Sequence, residues 1–448
     1  MHKTIFLSEK IKSNKTIKKE RDILRVLMLS WEFPPKSVGG LARHVNDLSL
    51  AMVDQGHEIH IITCAFEGAP LRETKDGVHI YRVHPYSIQT PNFLHWTQHL
   101  NFAMLEKAVP LLSSKEFDII HAHDWLVAFA GRALKHSFRL PLIATIHATE
   151  CGRNGGLYSD TQRYINSVEW FLTYEAWKVI VCSKHMENEV KSLFGVPGDK
   201  VEILPNGIFP HKFKEPPEKG WVDIPYLNNN DRVILFVGRL VQEKGVHILL
   251  EAAHKVLHSV PNAKFVIVGK GPMEEHLKHI ASSLGDRVHF TGYASDDELK
   301  TLYKRAETAV FPSLYEPFGI VALEAMATET PLVVSDTGGL SEIVKHGQNG
   351  LKAYPGNANS LADNILAALH DKKLAANLIR HATSSINNKY DWNKIASKTL
   401  AIYQDVRSEY EESSWSMPAV AFTEIPERYS LVEERIKNQN LRARGEVH

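Results

Sequence analysis

Cysteine is scarce. Cys64, Cys151 and Cys182 are the only three in 448 residues, an odd and widely spaced set. Such a set suggests neither a disulfide framework nor a zinc site, and it fits a reducing cytoplasm. Long hydrophobic runs are missing too: no stretch approaches the roughly 20 apolar residues of a membrane span, so no integral membrane segment is expected. Charge of one sign is absent, since 52 Lys and Arg balance 52 Asp and Glu. The balance points to neither nucleic acid nor an anionic membrane as a partner. The opening MHKTIFLSEKIKSNKTIKKER is Lys-rich without the apolar core of a signal peptide, and residues 1–22 read as a basic extension. No D-x-D pair follows a strand, and SDDEL (295–299) reads as a helix cap, so neither a divalent metal nor a cofactor is expected. No G-x-G-x-x-G follows the first strand with an acid further on, which disfavours a nicotinamide dehydrogenase. The 24 histidines are scattered and read mainly as surface or hydrogen-bonded core residues.

What is present is alternation. ILRVLMLSW (23–31) is a short, nearly all-apolar run, as in a parallel strand buried on both faces. An amphipathic LARHVNDLSLAMVDQG and a second strand, HEIHIITC, complete a βαβ unit. FDIIHAH, PLIATIHA, WKVIVCS and VEILPNGI continue the series. The texture then turns rich in Pro, Asn and charge, and a second series starts with RVILFVGRL, AKFVIVGKG, VHFTGY, TAVFPS, TPLVVSD and GLKAYP. The fold class is α/β: two doubly wound, parallel-sheet, Rossmann-like domains facing across a cleft. The boundaries read as 23–208 for a first domain, 209–230 for a linker and 231–389 for a second domain. A helix over 390–413 is expected to pack back on the first domain, and 414–448 forms a tail.

The junctions between strands and helices carry the chemistry. Gly39 and Gly40, between a strand and a helix, let backbone approach a phosphate at the helix N-terminus. Arg239 just after a strand, and Lys244 five residues on, suit a diphosphate leaving group. Thr337, Gly338, Gly339 and Leu340 open another helix whose N–H groups can hold an anion or a sugar hydroxyl. In YEPFGIVALEAMA (315–327), Pro317 suits a first helical turn, and Phe318, Gly319 and Ile320 offer N–H groups. Glu316 and Glu324 repel phosphate and are placed to accept hydrogen bonds from hydroxyls, a sugar's for Glu316 and a ribose's for Glu324. Carboxylates bracketing a phosphate site fit a nucleotide sugar better than a bare nucleotide.

EPFGIVALE resembles the E-x7-E motif of retaining GT-B glycosyltransferases, families 4 and 5, which include bacterial and archaeal glycogen synthases. The likeness covers most of residues 24–405. It implies that Glu316 contacts the donor sugar, Glu324 the ribose, and Arg239 and Lys244 the diphosphate. It also gives Thr337–Leu340 and Gly40 contacts to sugar hydroxyls and phosphate. His147, in ATIHATECGRNGG, becomes the active-site histidine beside the donor sugar. His123, Asp124 and Trp125 line the acceptor side, with Asn206 of PNGI nearby. Lys36 departs from the pattern, standing three residues before the glycine pair where larger bacterial glycogen synthases have two. The expected activity is retaining, metal-independent transfer of glucose from ADP-glucose or UDP-glucose to an α-1,4-glucan in the cytoplasm. A small or lipid acceptor (glucose 1-phosphate, a polyol phosphate, a cell-envelope precursor) is the alternative, and a nucleotide-sugar epimerase a more remote one.

Overall fold

A computed structural model describes residues 23–216 and 220–416, so the expected basic extension and all but the first residues of the tail lie outside the described residues. The first sheet comprises β1 (Arg25–Leu29), β2 (Glu58–Cys64), β3 (Arg72–Lys75), β4 (Val78–Val83), β5 (Ile119–His123), β6 (Leu142–Ile146), β7 (Lys178–Val181) and β8 (Val201–Ile203). Their order is β3-β4-β2-β1-β5-β6-β7-β8, parallel except for the β3–β4 hairpin at one edge. The second holds β9 (Arg232–Val237), β10 (Ala263–Val268), β11 (Val288–Gly292), β12 (Ala306–Phe311), β13 (Leu332–Ser335) and β14 (Leu351–Ala353), in the order β11-β10-β9-β12-β13-β14 and parallel throughout. Both are doubly wound. Strand order reverses between β1 and β5 in one sheet and between β9 and β12 in the other.

Apolar runs make these strands because helices cover both faces. Val26 to Leu29 and Leu142 to Ala144 are fully buried. The sequence reading did not flag β3 or β4: β3 (RETK) is a polar edge strand, whereas β4 buries Val78, Ile80, Tyr81 and Val83. A short helix, Pro210–Lys214, occupies part of the stretch expected as linker. The helix after β12 begins at Ile320, with Gly319 as its N-cap, so Pro317 precedes the helix rather than opening it.

The chain divides into two compact units, Met1–Arg407 and Ser408–His448, and both sheets belong to the first. In the second, the described residues finish the last helix and make a turn. That helix, Trp392–Glu412, returns to the first sheet: Trp392, Ile395, Leu400 and Tyr403 share a core with Val26, Met28, Ile59 and Ile143. Gly207 permits the approach, since a Cβ there would stand 2.7 Å from the Trp392 ring. Ile208 N donates to Tyr390 O at 2.7 Å and Trp392 N to Ile208 O at 3.3 Å. Among the described residues no helix is long and apolar enough to cross a membrane.

Candidate functional site

Each sheet's strand-order reversal opens a crevice at its carboxyl end, where ligands of such sheets bind. In the second sheet the loops after β9 and β12 meet there. Lys244 ends a single 3-10 turn, Gln242–Lys244, and its Nζ lies 2.6 Å from Glu316 Oε2. Ser313 Oγ donates to the same oxygen at 3.2 Å. Glu316 is buried, so its charge is held by a cation rather than by water. Arg239 is exposed at the end of β9 and has no ion pair among the described residues. Thr337 precedes the helix Gly338–Ile343, its hydroxyl donating to Leu314 O at 3.2 Å, and the helix packs directly under Glu316: Gly339 N donates to Glu316 O at 2.8 Å. A Cβ at Gly338 or Gly339 would collide with the backbone of residues 316–318, and one at Gly319 with Leu340. These glycines bind the two loops into one body, and the Gly339 amide is engaged within the protein. Phe318 and Leu340 are buried in that body.

Glu324 is buried inside the helix Ile320–Ala327 and is fully paired. Tyr303 OH donates to its Oε2 at 3.0 Å, and the Arg43 guanidinium reaches Oε1 from the helix Gly40–Asp54 of the other sheet. The Glu324 charge pushes Arg43 above its ordinary range, while burial, with that same carboxylate, raises Tyr303. Gly40 faces Ile320 across the same gap, at 3.1 Å for an added Cβ. Gly39 is extended and open around its Cα.

At the first sheet, β5 delivers His123, Asp124 and Trp125. Asp124 has φ of 61°, and its Oδ1 accepts the His147 N–H at 2.8 Å. Burial raises the Asp124 carboxyl to about 6. Asp124 therefore positions the His147 backbone, and Trp125 is buried beside it. His147 Nε2 lies 3.3 Å from His123 Nδ1, and His44 Nδ1 lies 2.6 Å from Asn206 Oδ1. His121, behind them, bonds Tyr403 OH at 2.6 Å and Thr145 Oγ1 at 2.7 Å. Burial lowers all four imidazoles, His147 to about 3, and keeps them neutral. His44, His123 and His147 each offer a ring nitrogen, all within 4.8 Å of one another, a donor set able to hold a metal ion. Glu58, His60 and His79 form a similar set at the amino end of β2, where Arg25 and Lys115 already pair with Glu58.

Comparison with known proteins settles the family. The model for glycosyl transferases group 1 matches residues 221–385, and that for glycosyltransferase family 4 matches 38–212. An uncharacterized glycosyltransferase of Methanocaldococcus jannaschii is 42% identical over 389 residues, spanning 85% of this chain and 98% of its own. A glycogen synthase of Mycobacterium tuberculosis (strain H37Rv) is 33% identical over 428 residues, 90% of this chain and 100% of its own. The chain belongs to the group 1, GT-B glycosyltransferases. The solved sucrose-phosphate synthase of Thermosynechococcus elongatus shares the fold, with a TM-score of 0.75 at 24% identity over 86% of this chain and 100% of its own.

In this glycosyltransferase the two crevices touch, through Ser183, which resembles a family position, and through residues that motif reading did not single out. Tyr315 OH donates to Glu189 Oε1 at 2.8 Å, and Ser183 Oγ to Pro317 O at 2.7 Å. Glu342 accepts from Lys184 N at 2.9 Å and His185 N at 2.8 Å, capping the helix Lys184–Phe194 from the other side. Glu32 accepts from Val38 N at 2.5 Å and also faces the Gly39 and Ala42 amides, so a carboxylate stands where the glycine pair was expected to meet phosphate. Burial raises Glu32 to about 7. Arg153 lies between Glu150 and Glu169, 3.6 Å from each. For Glu32 one signal was available, an acid directly after an apolar strand. For Arg43 and Tyr303 there was none, because their partner is distant in the chain.

Proposed function

We propose that this glycosyltransferase moves glucose from ADP-glucose or UDP-glucose to an α-glucan, with retention at the anomeric carbon. The observation that carries the reading is the pairing of Lys244 with Glu316 at the carboxyl-end reversal of the second sheet, with Arg239 exposed in the same loop as Lys244. Two cations there meet the charge that grows on a departing diphosphate, an electrostatic role that needs no metal. Glu316, held by Lys244 and Ser313, has lone pairs left to accept from a donor-sugar hydroxyl. Glu324 accepts from the ribose once Arg43 yields one of its oxygens. The bond from the anomeric carbon to the diphosphate breaks, and the acceptor hydroxyl bonds on the same face while its proton passes to the departing phosphate oxygen. His147, neutral and fixed through Asp124, lies against the sugar without competing for that proton. Contact between the crevices excludes water and limits donor hydrolysis. The glucan acceptor is supported by the full-length likeness to a glycogen synthase. Nucleoside-diphosphate release from ADP-glucose or UDP-glucose, with and without glycogen, tests it. Glycogen-dependent release with α-1,4 extension is expected. Release that ignores glycogen but rises with glucose 1-phosphate or a polyol phosphate would overturn the acceptor assignment.

A further inference from the structure

Beside the Asp124–Trp125 corner lies a set of aromatic rings that the transfer chemistry does not use. Trp31 follows β1, and Phe93 and Trp96 open the helix Phe93–Ser114. Phe93 stacks on Trp96 with ring centroids 5.5 Å apart and planes 11° from parallel, and it meets Trp125 edge-on at 6.2 Å. Lys36 Nζ sits 5.4 Å from the ring centroids of both Trp31 and Trp96, tying the two indoles together. Phe93 is 52% exposed and Ile88, in the loop before it, 65%. A half-exposed ring stacked on a second ring that is itself fixed gives a flat apolar face with little freedom to lose on binding.

We propose that Phe93, backed by Trp96, forms a stacking subsite for the sugar units of an uncharged glucan acceptor, beyond the unit being extended. The inference rests on the glucan reading above and adds where the chain lies. The C–H face of a glucopyranose is apolar and matches an aromatic face, while its hydroxyls stay at the rim in water. Charge supports an uncharged ligand. The segment from His84 to Glu106 contains no Lys or Arg. Lys36 is committed to the two indoles and to Cys64 Sγ at 3.0 Å, and Arg153 to Glu150 and Glu169. A phosphorylated acceptor would find no uncommitted cation among these groups. The stack is also continuous with the cleft, because Trp125 directly follows the aspartate that positions His147.

The test uses the full chain in two measurements: migration through native gels containing glycogen, and KM for maltoheptaose against maltose. Glycogen should retard the wild-type protein, and maltoheptaose should have the lower KM. Phe93→Ala and Trp96→Ala should remove the retardation and raise the maltoheptaose KM by about 3- to 10-fold, the value of one aromatic stack. Phe93→Tyr keeps the ring and should restore both, which separates stacking from misfolding. Retardation unchanged in Phe93→Ala, or a wild-type protein that glycogen does not retard, would overturn the subsite. Elongation of glucans that ignores both substitutions would also remove the subsite but leave the proposed function standing. Ring-dependent retardation without elongation would keep a glucan-binding face but overturn its acceptor role together with the proposed function.

Discussion

Glu316 and Glu324 lie eight positions apart, yet they have different partners. Lys244 neutralises Glu316 from the same sheet, whereas Arg43 neutralises Glu324 from the other. Arg239→Ala and Lys244→Ala should each lower turnover by about 10²- to 10³-fold through lost stabilisation of the leaving group, read as nucleoside-diphosphate release. Near-normal turnover in both would overturn the assignment. Glu324→Gln should act mainly on donor KM, and an effect on turnover alone would contradict the ribose role. The loops carrying Lys244, Glu316 and Thr337–Leu340 were legible in sequence as junctions at strand ends, and parallel strands bring those ends together. Arg43, Tyr303 and Glu342 were not. Arg43 and Glu324 are 281 positions apart, and only the packing of one sheet's helix against the other brings them together.

Among the elements, the corner after β5 shows why a site residue can be strained and still stable. A non-glycine at φ of 61° costs about 1–3 kcal/mol, which the Asp124 carboxylate offsets by accepting the buried amide of His147. Asp124→Ala should therefore destabilise by about 2–3 kcal/mol, seen as a lower denaturant midpoint. Asp124→Asn should be far milder, since asparagine keeps an acceptor for the His147 amide and leaves the backbone cost as it is. The helix Asp296–Arg305 makes the complementary case. Ser295 and Glu298 form a full capping box, as SDDEL implied, and Ser295→Ala should cost about 1 kcal/mol. Cap signals and buried parallel strands could be read because they are local. The strand β3 could not, because a polar edge strand needs no apolar alternation, and Gly207 declares its purpose only once Trp392 lies over it.

Across the whole molecule, protons bound at a few buried groups set how stability follows pH. The four lowered imidazoles contribute stability that is complete above their ordinary 6.5 and lost as pH falls, down to about 3 for His147. Glu32 and Glu169 act oppositely: burial raises them to about 7 and about 8, so their contribution is present below 4.5 and lost as pH rises through those values. Melting temperatures followed from about pH 5 to about pH 9 should show Glu169→Gln gaining on the wild type as pH rises, by up to about 1.4 kcal/mol per pH unit within its window. A constant difference would contradict the assignment. The returning helix has a consequence for synthesis. A ribosome releases the first sheet's strands long before it makes Trp392, Leu400 and Tyr403, which close that sheet's core. Until then the core shared by β1, β2 and the helix Gly40–Asp54 is only partly covered, so the amino-terminal half cannot finish folding in the order it is translated. A messenger truncated before codon 390 should yield a protein retained by chaperones, even with both sheets complete.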